Sequence, residues 1–266
     1  MKGYVFLLVV GIFACKEPVP TEVSDVFEPE PEVVVSYDSS VHRTMEKMGL
    51  VDIHTLDTTI LIDLRYSGKN NFMETVLYDT LQWLFLQRDV AERVVQCQQT
   101  LRDSMPGYSL LLYDGVRPLQ VQQKMWDSLD SIPFYRRVKF VSNPAFGSIH
   151  NYGAAVDITI CDASDTPLDM GAGYDDFREI ASPGLEWKFR KSGELSEEQW
   201  QNRRLLRWVM KSEGFYNIPS EWWHFNACNR VTAAHKYQQL LTESGDSRWF
   251  RVVVKDKVSA DSLQAE

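Results

Sequence analysis

The segment AAVDITI, residues 154–160, alternates between two kinds of side chain, and this period of two is the strongest constraint on the fold. In a strand, one face then carries three branched aliphatic residues, Val156, Ile158 and Ile160. The other face carries Ala155, Asp157 and Thr159. We therefore predict a strand whose first face packs in a core and whose second face, with Asp157, meets something polar.

The other predicted elements follow in no regular βαβ order. Apolar segments predict further strands at residues 58–68, 108–115 and 221–228. Helical spacing of apolar residues predicts helices at residues 89–104, 117–129 and 197–214. With 266 residues, of which 44% are apolar, the chain can bury a full core. We predict the α+β class, as a single domain with a central, largely antiparallel sheet flanked by helices.

The first 36 residues differ in composition from the rest of the chain. Residues 1–15, MKGYVFLLVVGIFAC, have a lysine, an apolar run and a small residue before Cys15, which is typical of an export signal. The ending IFAC resembles the lipobox of bacterial lipoproteins, in which the cysteine is lipidated and becomes the mature N-terminus. Plain secretion and an uncleaved anchor are the alternatives. Residues 16–36 contain four prolines and six acids, and such a segment cannot bury enough surface to fold.

These observations divide the chain into four parts. We predict a lipoprotein signal peptide in residues 1–15, an acidic tether in residues 16–36, a folded domain in residues 37–250, and a C-terminal strand with a polar tail in residues 251–266. The expected location is the cell envelope or periplasm, with the lipid held in a membrane. A formal net charge of −9 argues against nucleic acid as a partner, and no obligate protein partner is expected.

Two separate stretches carry side chains that suit one metal ion. GSIHNYGAAVD contains His150 and Asp157, and EWWH contains Glu221 and His224. A catalytic zinc takes three ligands from His and Asp or Glu, with a carboxylate nearby for the proton of the attacking water. On a regular strand residues 221 and 224 face opposite ways, so we expect Glu221 in the turn before the strand. A chance His/Asp spacing and a surface ion pair are the alternatives.

A third motif, YDGVRP, places Arg117 between a predicted strand and a predicted helix. A guanidinium at this point can stabilise an oxyanion, although an isolated arginine in such a place is more often structural.

Together the three motifs resemble those of the zinc D-alanyl-D-alanine dipeptidases, the VanX-type enzymes. The matching patterns are Ser-x-His-x-x-Gly-x-Ala-x-Asp at residues 148–157, Glu-x-Trp-His at residues 221–224 and Asp-Gly-x-Arg-Pro at residues 114–118. DLRY, MGAGYDDF and NRRLL are further similar stretches, and the resemblance runs from about residue 58 to about residue 227. It implies a fold of the hedgehog/D,D-peptidase type and one zinc ion per chain.

The resemblance also implies roles for individual residues. The three zinc ligands are His150, Asp157 and His224. Glu221 is the general base and acid, and Arg117 stabilises the transition state. Asp175 accepts the free ammonium group of the substrate, with the neighbouring Asp176 as the alternative, and Ser148 positions the substrate.

These roles imply hydrolysis of D-Ala-D-Ala and related D,D-dipeptides in the bacterial cell envelope. A carboxypeptidase that trims D-Ala from muropeptides would use the same metal chemistry and differ only at the amine side of the pocket. A non-catalytic zinc-dependent cell-wall binding module is the third possibility, and the presence of both Glu221 and Arg117 argues against it. Residues 229–257 form a longer segment than the resemblance accounts for.

Three cysteines follow Cys15. Cys97 lies on the apolar stripe of a predicted helix and is expected to be a buried small hydrophobe. Cys161 and Cys228 lie four residues after Asp157 and His224. A disulfide between them requires parallel strands, and the predicted antiparallel sheet argues against it.

The lipid anchor can be tested on the native protein. We expect the mature chain to begin at a lipidated Cys15, because the tether that follows has no means of its own to hold the domain at a membrane. Mass spectrometry should therefore show a diacylated N-terminal peptide, and Cys15→Ser should release the protein from the detergent phase. An unmodified Cys15 in the mature protein would contradict the prediction.

Overall fold

The computed structural model describes residues 39–249, so Cys15, the predicted signal peptide, the tether and the C-terminal tail lie outside the described residues. The helices are α1 (Ser39–Glu46), α2 (Arg88–Ser104), α3 (Leu119–Ser128), α4 (Phe134–Arg137), α5 (Glu186–Ser192), α6 (Glu197–Ser212) and α7 (Arg230–Lys236). The strands are β1 (Leu50–Asp52), β2 (Leu61–Ile62), β3 (Phe85–Gln87), β4 (Ser109–Asp114), β5 (Ala155–Cys161), β6 (Tyr216–Asn217), β7 (His224–Asn226), β8 (Gln239–Leu240) and β9 (Ser247–Arg248).

Strand β5 lies at the centre of a five-stranded sheet with the order β2-β4-β5-β7-β6. Only the β2–β4 pair is parallel among these described strands, so the predicted α+β class with a largely antiparallel sheet is confirmed. All seven residues of β5 are buried, because strands flank both of its edges and both of its faces are covered. Its partners place Asp157 opposite His224 on β7 and opposite Asp114 on β4. Three polar side chains therefore meet in the middle of an otherwise apolar sheet.

Helices α2 and α6 cover the apolar face of the sheet. Helix α2 presents a stripe of buried residues at helical spacing, Val90, Val94, Cys97 and Leu101. It ends as predicted before Pro106 and Gly107, and Gly107 adopts the left-handed conformation. Helix α6 begins at a capping box in which the Ser196 hydroxyl accepts from the Gln199 N–H. No helix among the described residues is long and apolar enough to span a membrane.

The strand predicted at residues 221–228 is shorter in the structure. Only His224–Asn226 pair as β7, because the Asn217 amide takes over the preceding backbone carbonyls. It donates to the carbonyl oxygens of Glu221 and His224 at 2.8 Å each. Glu221 consequently lies in an irregular turn before the strand, as its spacing from His224 predicts. The segment 58–68 is likewise reduced to the two residues of β2 and a short 3-10 turn at Arg65–Ser67.

The segment after β7 returns to the core through one buried carboxylate. Glu243 accepts hydrogen bonds from the backbone N–H groups of Asp79, Thr80 and Leu81 at 3.0, 2.6 and 2.8 Å. Nearby, the buried Gln239 side chain lies against Gly147, where a Cβ atom would approach its amide nitrogen to 2.4 Å. The C-terminal segment thus fixes the loop that leads into the GSIHNYG motif.

Removing the Glu243 carboxylate should destabilise the domain. Glu243→Ala leaves three backbone donors without an acceptor, and we expect the free energy of unfolding to fall by about 3 kcal/mol. Glu92 lies exposed on helix α2, so Glu92→Ala should change stability by less than about 0.5 kcal/mol. Urea unfolding of both variants checks this, and equal midpoints would show that the Glu243 contacts contribute nothing.

Candidate metal and catalytic site

Three side chains from three elements converge on one point. His150 comes from the 3-10 turn Ile149–Tyr152, Asp157 from β5, and His224 from the first residue of β7. His150 Nε2 lies 3.1 Å from His224 Nδ1, His224 Nδ1 lies 3.0 Å from Asp157 Oδ1, and His150 Nε2 lies 3.3 Å from Asp157 Oδ1. Ligand atoms on a tetrahedral metal with bonds near 2.0–2.1 Å are separated by about 3.3 Å. The triangle therefore has the size that such an ion requires.

The outer nitrogen of each imidazole is already committed to an oxygen. His150 Nδ1 donates to the Gly115 carbonyl at 2.7 Å, and His224 Nε2 lies 2.9 Å from Asn226 Oδ1. In the neutral tautomer that carries its proton on this outer nitrogen, each ring directs a lone pair at the shared centre, as a metal ligand requires. The two histidines present different atoms, Nε2 and Nδ1, because one sits on a turn and the other on a strand.

Asp157 is the most constrained of the three, with a side chain only 3% exposed. Burial by itself raises the pKa of this carboxyl, but His150 and His224 hold the pKa well below its usual range. Its second oxygen, Oδ2, accepts from the Tyr174 hydroxyl at 3.0 Å and from Arg117 at 3.3 Å. The carboxylate is therefore anionic and oriented, with Oδ1 toward the imidazoles.

Arg117 is held from behind by a second buried acid. Its guanidinium contacts Asp114 Oδ2 at 2.6 Å through one amine nitrogen and at 2.8 Å through Nε. The Tyr78 hydroxyl donates to the other oxygen of Asp114 at 2.5 Å. The guanidinium also lies 4.7 Å from the centre of the Tyr66 ring. Arg117 thus lines the cleft with its position fixed by Asp114 and with part of its fork facing the opening.

Glu221 stands beside the triangle without joining it. Its Oε2 lies 3.9 Å from His224 Nδ1, which is beyond hydrogen-bond length, and its side chain is 27% exposed. Burial of the carboxyl raises its pKa. A carboxylate in this position can reach a water bound at the centre and exchange a proton with it.

Asp175 points into the same cleft from the loop that follows β5. Its backbone has a positive φ of 56°, a conformation that aspartate tolerates better than most residues. The carboxylate accepts from the Tyr66 hydroxyl at 3.2 Å and from the Phe72 N–H at 3.4 Å. Asp176 is instead bound by Arg178 in a surface ion pair. Of the two acids in MGAGYDDF, the structure therefore directs Asp175 toward the cleft.

The cleft that these residues share is small. Its volume is about 190 Å³, below the roughly 300–1,000 Å³ that is usual for drug-sized ligands. Ser148 lies on its wall, and its hydroxyl has no hydrogen-bond partner in the described part of the chain. Near Asp175, the Phe177 ring contacts the rings of Phe72 and Phe140, with centroid distances of 5.2 and 4.7 Å. Aromatic side chains thus border the cleft near Asp175.

The structure brings together in one cleft all the residues that the sequence proposed for the site. Three residues that contact them had no role assigned from the sequence. Tyr66 on Asp175, Tyr174 on Asp157 and Asp114 on Arg117 are visible only in the structure. All three lie within the quoted stretches DLRY, MGAGYDDF and YDGVRP, which was the only signal. The cysteines of the described residues are free thiols, including Cys161 and Cys228, and Cys97 is buried as predicted.

The geometry of the cleft defines a class of protein. Three metal-ligand side chains, a nearby carboxylate outside the ligand set and a guanidinium in one cleft are the parts of a metal-dependent hydrolase. The recessed Asp175 carboxyl at the far end of the cleft can ionise beside a cation, and so adds a site for a cationic group on a small substrate.

Comparison with known proteins identifies the family. A family model described as D-ala-D-ala dipeptidase matches residues 46–243, and the chain belongs to this family of metallopeptidases. The D-alanyl-D-alanine dipeptidase of Escherichia coli is 30% identical over 66% of this chain and 83% of the relative. That of Synechocystis sp. is 31% identical over 56% of this chain and 71% of the relative. The resemblance inferred from the motifs is confirmed.

A more distant likeness exists to a solved structure of VanYB in complex with D-Alanine-D-Alanine. It is 15% identical, covers 66% of this chain and 89% of that chain, and has a TM-score of 0.35.

The recessed position of Asp175 should appear in the stability of the metal-free protein. Desolvation, followed by the charge of Asp157, raises the pKa of Asp175 to about 8 from 3.8. Between these values the folded state binds a proton that the unfolded state does not, so the free energy of unfolding falls as the pH rises. Asp175→Asn removes the titrating group and with it this loss of stability. In urea unfolding between about pH 5 and pH 8, the free energy of unfolding of the variant should therefore rise relative to that of wild type as the pH increases.

Asp176 provides the matched control one residue away. The hydrogen bond from Arg178 lowers the pKa of Asp176, so its contribution to stability is lost as the pH falls. Asp176→Asn should therefore be less stable than wild type by a constant amount between about pH 5 and pH 8, and this difference should shrink only below about pH 4. Parallel pH curves for wild type and Asp175→Asn would mean that Asp175 is not buried as described.

Proposed function

We propose that this chain hydrolyses D-Ala-D-Ala and related D,D-dipeptides with one zinc ion held by His150, Asp157 and His224. The observation that carries the proposal is the placement of Asp175 in the same small cleft as the metal-ligand triangle. A free ammonium group needs a fixed anion, and a dipeptide places that group one residue from the bond to be cleaved. The curated relatives named above are D-alanyl-D-alanine dipeptidases, which supports this substrate class.

Zinc suits the three side chains that would hold it. Two imidazole nitrogens and one carboxylate oxygen form a donor set of the kind that zinc prefers, and all three side chains line the cleft, so an ion held by them would be open to a water or a substrate. When bound, zinc supplies polarisation of the scissile carbonyl and a lowered pKa for a water molecule.

Glu221 acts on the proton of the attacking water. Its raised pKa brings it closer to the working pH, where a carboxyl can both accept a proton and return it. Because it makes no hydrogen bond to the ligand histidine, its oxygens remain available to the water on one side and to the leaving amine on the other. The proton taken from water is then delivered to the amine nitrogen as the peptide bond breaks.

Arg117 stabilises the negative charge that develops on the carbonyl oxygen. Asp114 orients it through Nε and one amine nitrogen, so little reorganisation is needed when the charge appears. A lysine would not reproduce this arrangement, because only a guanidinium can bind Asp114 through two nitrogens and still present a donor to the cleft.

Asp175 selects for substrates with a free amine. With a pKa raised to about 8, the Asp175 carboxyl is mostly protonated at neutral pH until a free ammonium group binds beside it and pairs with the ionised form. An acylated, uncharged nitrogen offers no such ion pair. Phe140 and Phe177 line this end of the cleft, whose volume is only about 190 Å³, and a space of this size suits a small substrate. Both features favour a dipeptide over the terminus of a longer peptide, and so favour the dipeptidase over the carboxypeptidase reading.

We place this activity in the cell envelope. The support comes from residues 1–36, where an export signal ends in IFAC and is followed by a proline-rich acidic tether. A lipid on Cys15 would hold the domain at a membrane surface, with the tether as a spacer.

The substrate assignment can be tested with three peptides and two variants. The zinc-loaded domain should cleave D-Ala-D-Ala far better than either N-acetyl-D-Ala-D-Ala or a pentapeptide ending in D-Ala-D-Ala. Glu221→Gln should retain one zinc per chain and lose about 10²- to 10⁴-fold in kcat, as expected for loss of a general base and acid. Zinc content by mass spectrometry and release of D-Ala provide the two readouts.

Asp175→Asn distinguishes the ammonium site from the rest of the cleft. It should reduce kcat/KM for the free dipeptide sharply and leave the poor rate on the N-acetylated peptide nearly unchanged. Equal cleavage of the free and acetylated substrates by wild type would overturn the dipeptidase assignment in favour of the carboxypeptidase. Full activity in Glu221→Gln would overturn the mechanism.

A further inference from the structure

The two oxygens of Asp157 have different surroundings. Oδ1 faces both imidazoles, at 3.0 Å from His224 and 3.3 Å from His150. Oδ2 faces away from them and accepts from the Tyr174 hydroxyl at 3.0 Å. A carboxylate rotates easily about its last torsion, which has no sharp staggered minima, so a contact at Oδ2 decides where Oδ1 points.

We propose that Tyr174 is the positioning residue of the metal centre: its hydroxyl fixes the Asp157 carboxylate so that Oδ1 alone is presented to a divalent cation. The inference builds on the metal site of the proposed function and adds a residue outside the ligand set. Outer contacts of this kind fix the orientation of metal ligands, and their loss typically weakens metal binding by about 10- to 100-fold.

Tyr174 touches neither the substrate cleft nor the other ligands. Its ring lines a separate cleft beside Arg65 and Trp222 and is absent from the described wall of the catalytic cleft. The ring packs against Tyr113 at 4.9 Å and against Trp223 at 5.4 Å between centroids. The ring is therefore held by its aromatic neighbours, and the hydroxyl can be removed without removing the packing.

Arg117 also reaches Oδ2, but its contact is the weaker of the two. The distance to Asp157 is 3.3 Å, whereas the same amine nitrogen lies 2.6 Å from Asp114. Arg117 is also the group assigned to the charge that develops on the substrate. The Tyr174 hydroxyl is therefore the shorter contact on Oδ2 and has no second acceptor among the described hydrogen bonds, so it is the contact that keeps the carboxylate in place.

The position of Tyr174 in the chain links the metal ligand to the ammonium site. Asp175 follows it directly, and the loop that carries both is anchored at several points. Arg203 donates to the carbonyl oxygens of Met170 and Ile180 at 2.6 and 3.0 Å, and Trp222 donates to the Ala172 carbonyl at 3.0 Å. One anchored loop thus sets the orientation of a metal ligand and the place of the substrate amine.

The test is the zinc affinity of Tyr174→Phe, measured by competition with a chromophoric chelator in the absence of substrate. We expect a loss of about 10- to 100-fold relative to wild type, as for other outer contacts of metal ligands. The melting temperature of the metal-free variant should match wild type, because the ring contacts are retained.

Two matched variants serve as controls. Tyr66→Phe removes a hydroxyl that donates to Asp175 rather than to Asp157. Tyr152→Phe removes a hydroxyl that has no hydrogen-bond partner among the described residues. Both should bind zinc as tightly as wild type. A loss of affinity in all three variants would show a general effect of removing hydroxyls and overturn the inference.

The outcomes separate this inference from the proposed function. If wild type binds zinc tightly and Tyr174→Phe binds it equally well, the positioning role is wrong and the proposed function stands. If the metal-free melting temperature falls together with the affinity, Tyr174 is structural and the inference fails. If wild type itself binds no zinc, the proposed function fails and the inference falls with it.

Discussion

A buried carboxylate in the middle of a sheet is the constraint on which the rest of the structure depends. Asp157 lies on the central strand, where an unpaired charge would be strongly destabilising. Its partners come from four different parts of the chain: His150, His224, Tyr174 and Arg117. Each of these parts must be in place for the charge to be compensated. The requirement that holds the fold around β5 is therefore the same one that assembles the metal site.

Two acids in the cleft, Asp175 and Glu221, lack the close cationic partners that Asp157 has. The pKa values of Asp175 and Glu221 are raised by desolvation, in contrast to the lowered pKa of Asp157. Carboxyls whose environments push their pKa values apart have different tasks in an active site. In the proposed function, Asp157 is the anion that binds the metal, Glu221 exchanges protons, and Asp175 pairs with the substrate ammonium group. Burial of Asp175 and Glu221 without such partners lowers the stability of the domain, and in the proposed function a substrate or a water supplies the partner.

Elements whose sequence signals are local are predicted correctly. The prediction is wrong where a side chain far away in the sequence determines where an element ends or which group a residue contacts. The α2 stripe and the alternation in β5 are short-range patterns, and both appear as expected. The strand predicted at residues 221–228 is cut short because Asn217 takes backbone carbonyls that a ladder would use. Tyr174 could not be distinguished from a packing aromatic, since its hydroxyl partner lies 17 residues away. Glu243 had no signal at all, because the backbone donors that it binds lie more than 160 residues earlier.

The attachment of Glu243 to residues 79–81 determines when this enzyme becomes complete during its synthesis. Contacts between residues so far apart form late, since the intervening chain must first exist and then close into a loop. His150 and Asp157 are made well before His224, and the Glu243 clamp can close only after almost the whole described chain has been translated. A chain that stops before residue 224 lacks one corner of the metal-ligand triangle, and a chain that stops between residues 224 and 243 has the triangle but lacks the Glu243 clamp.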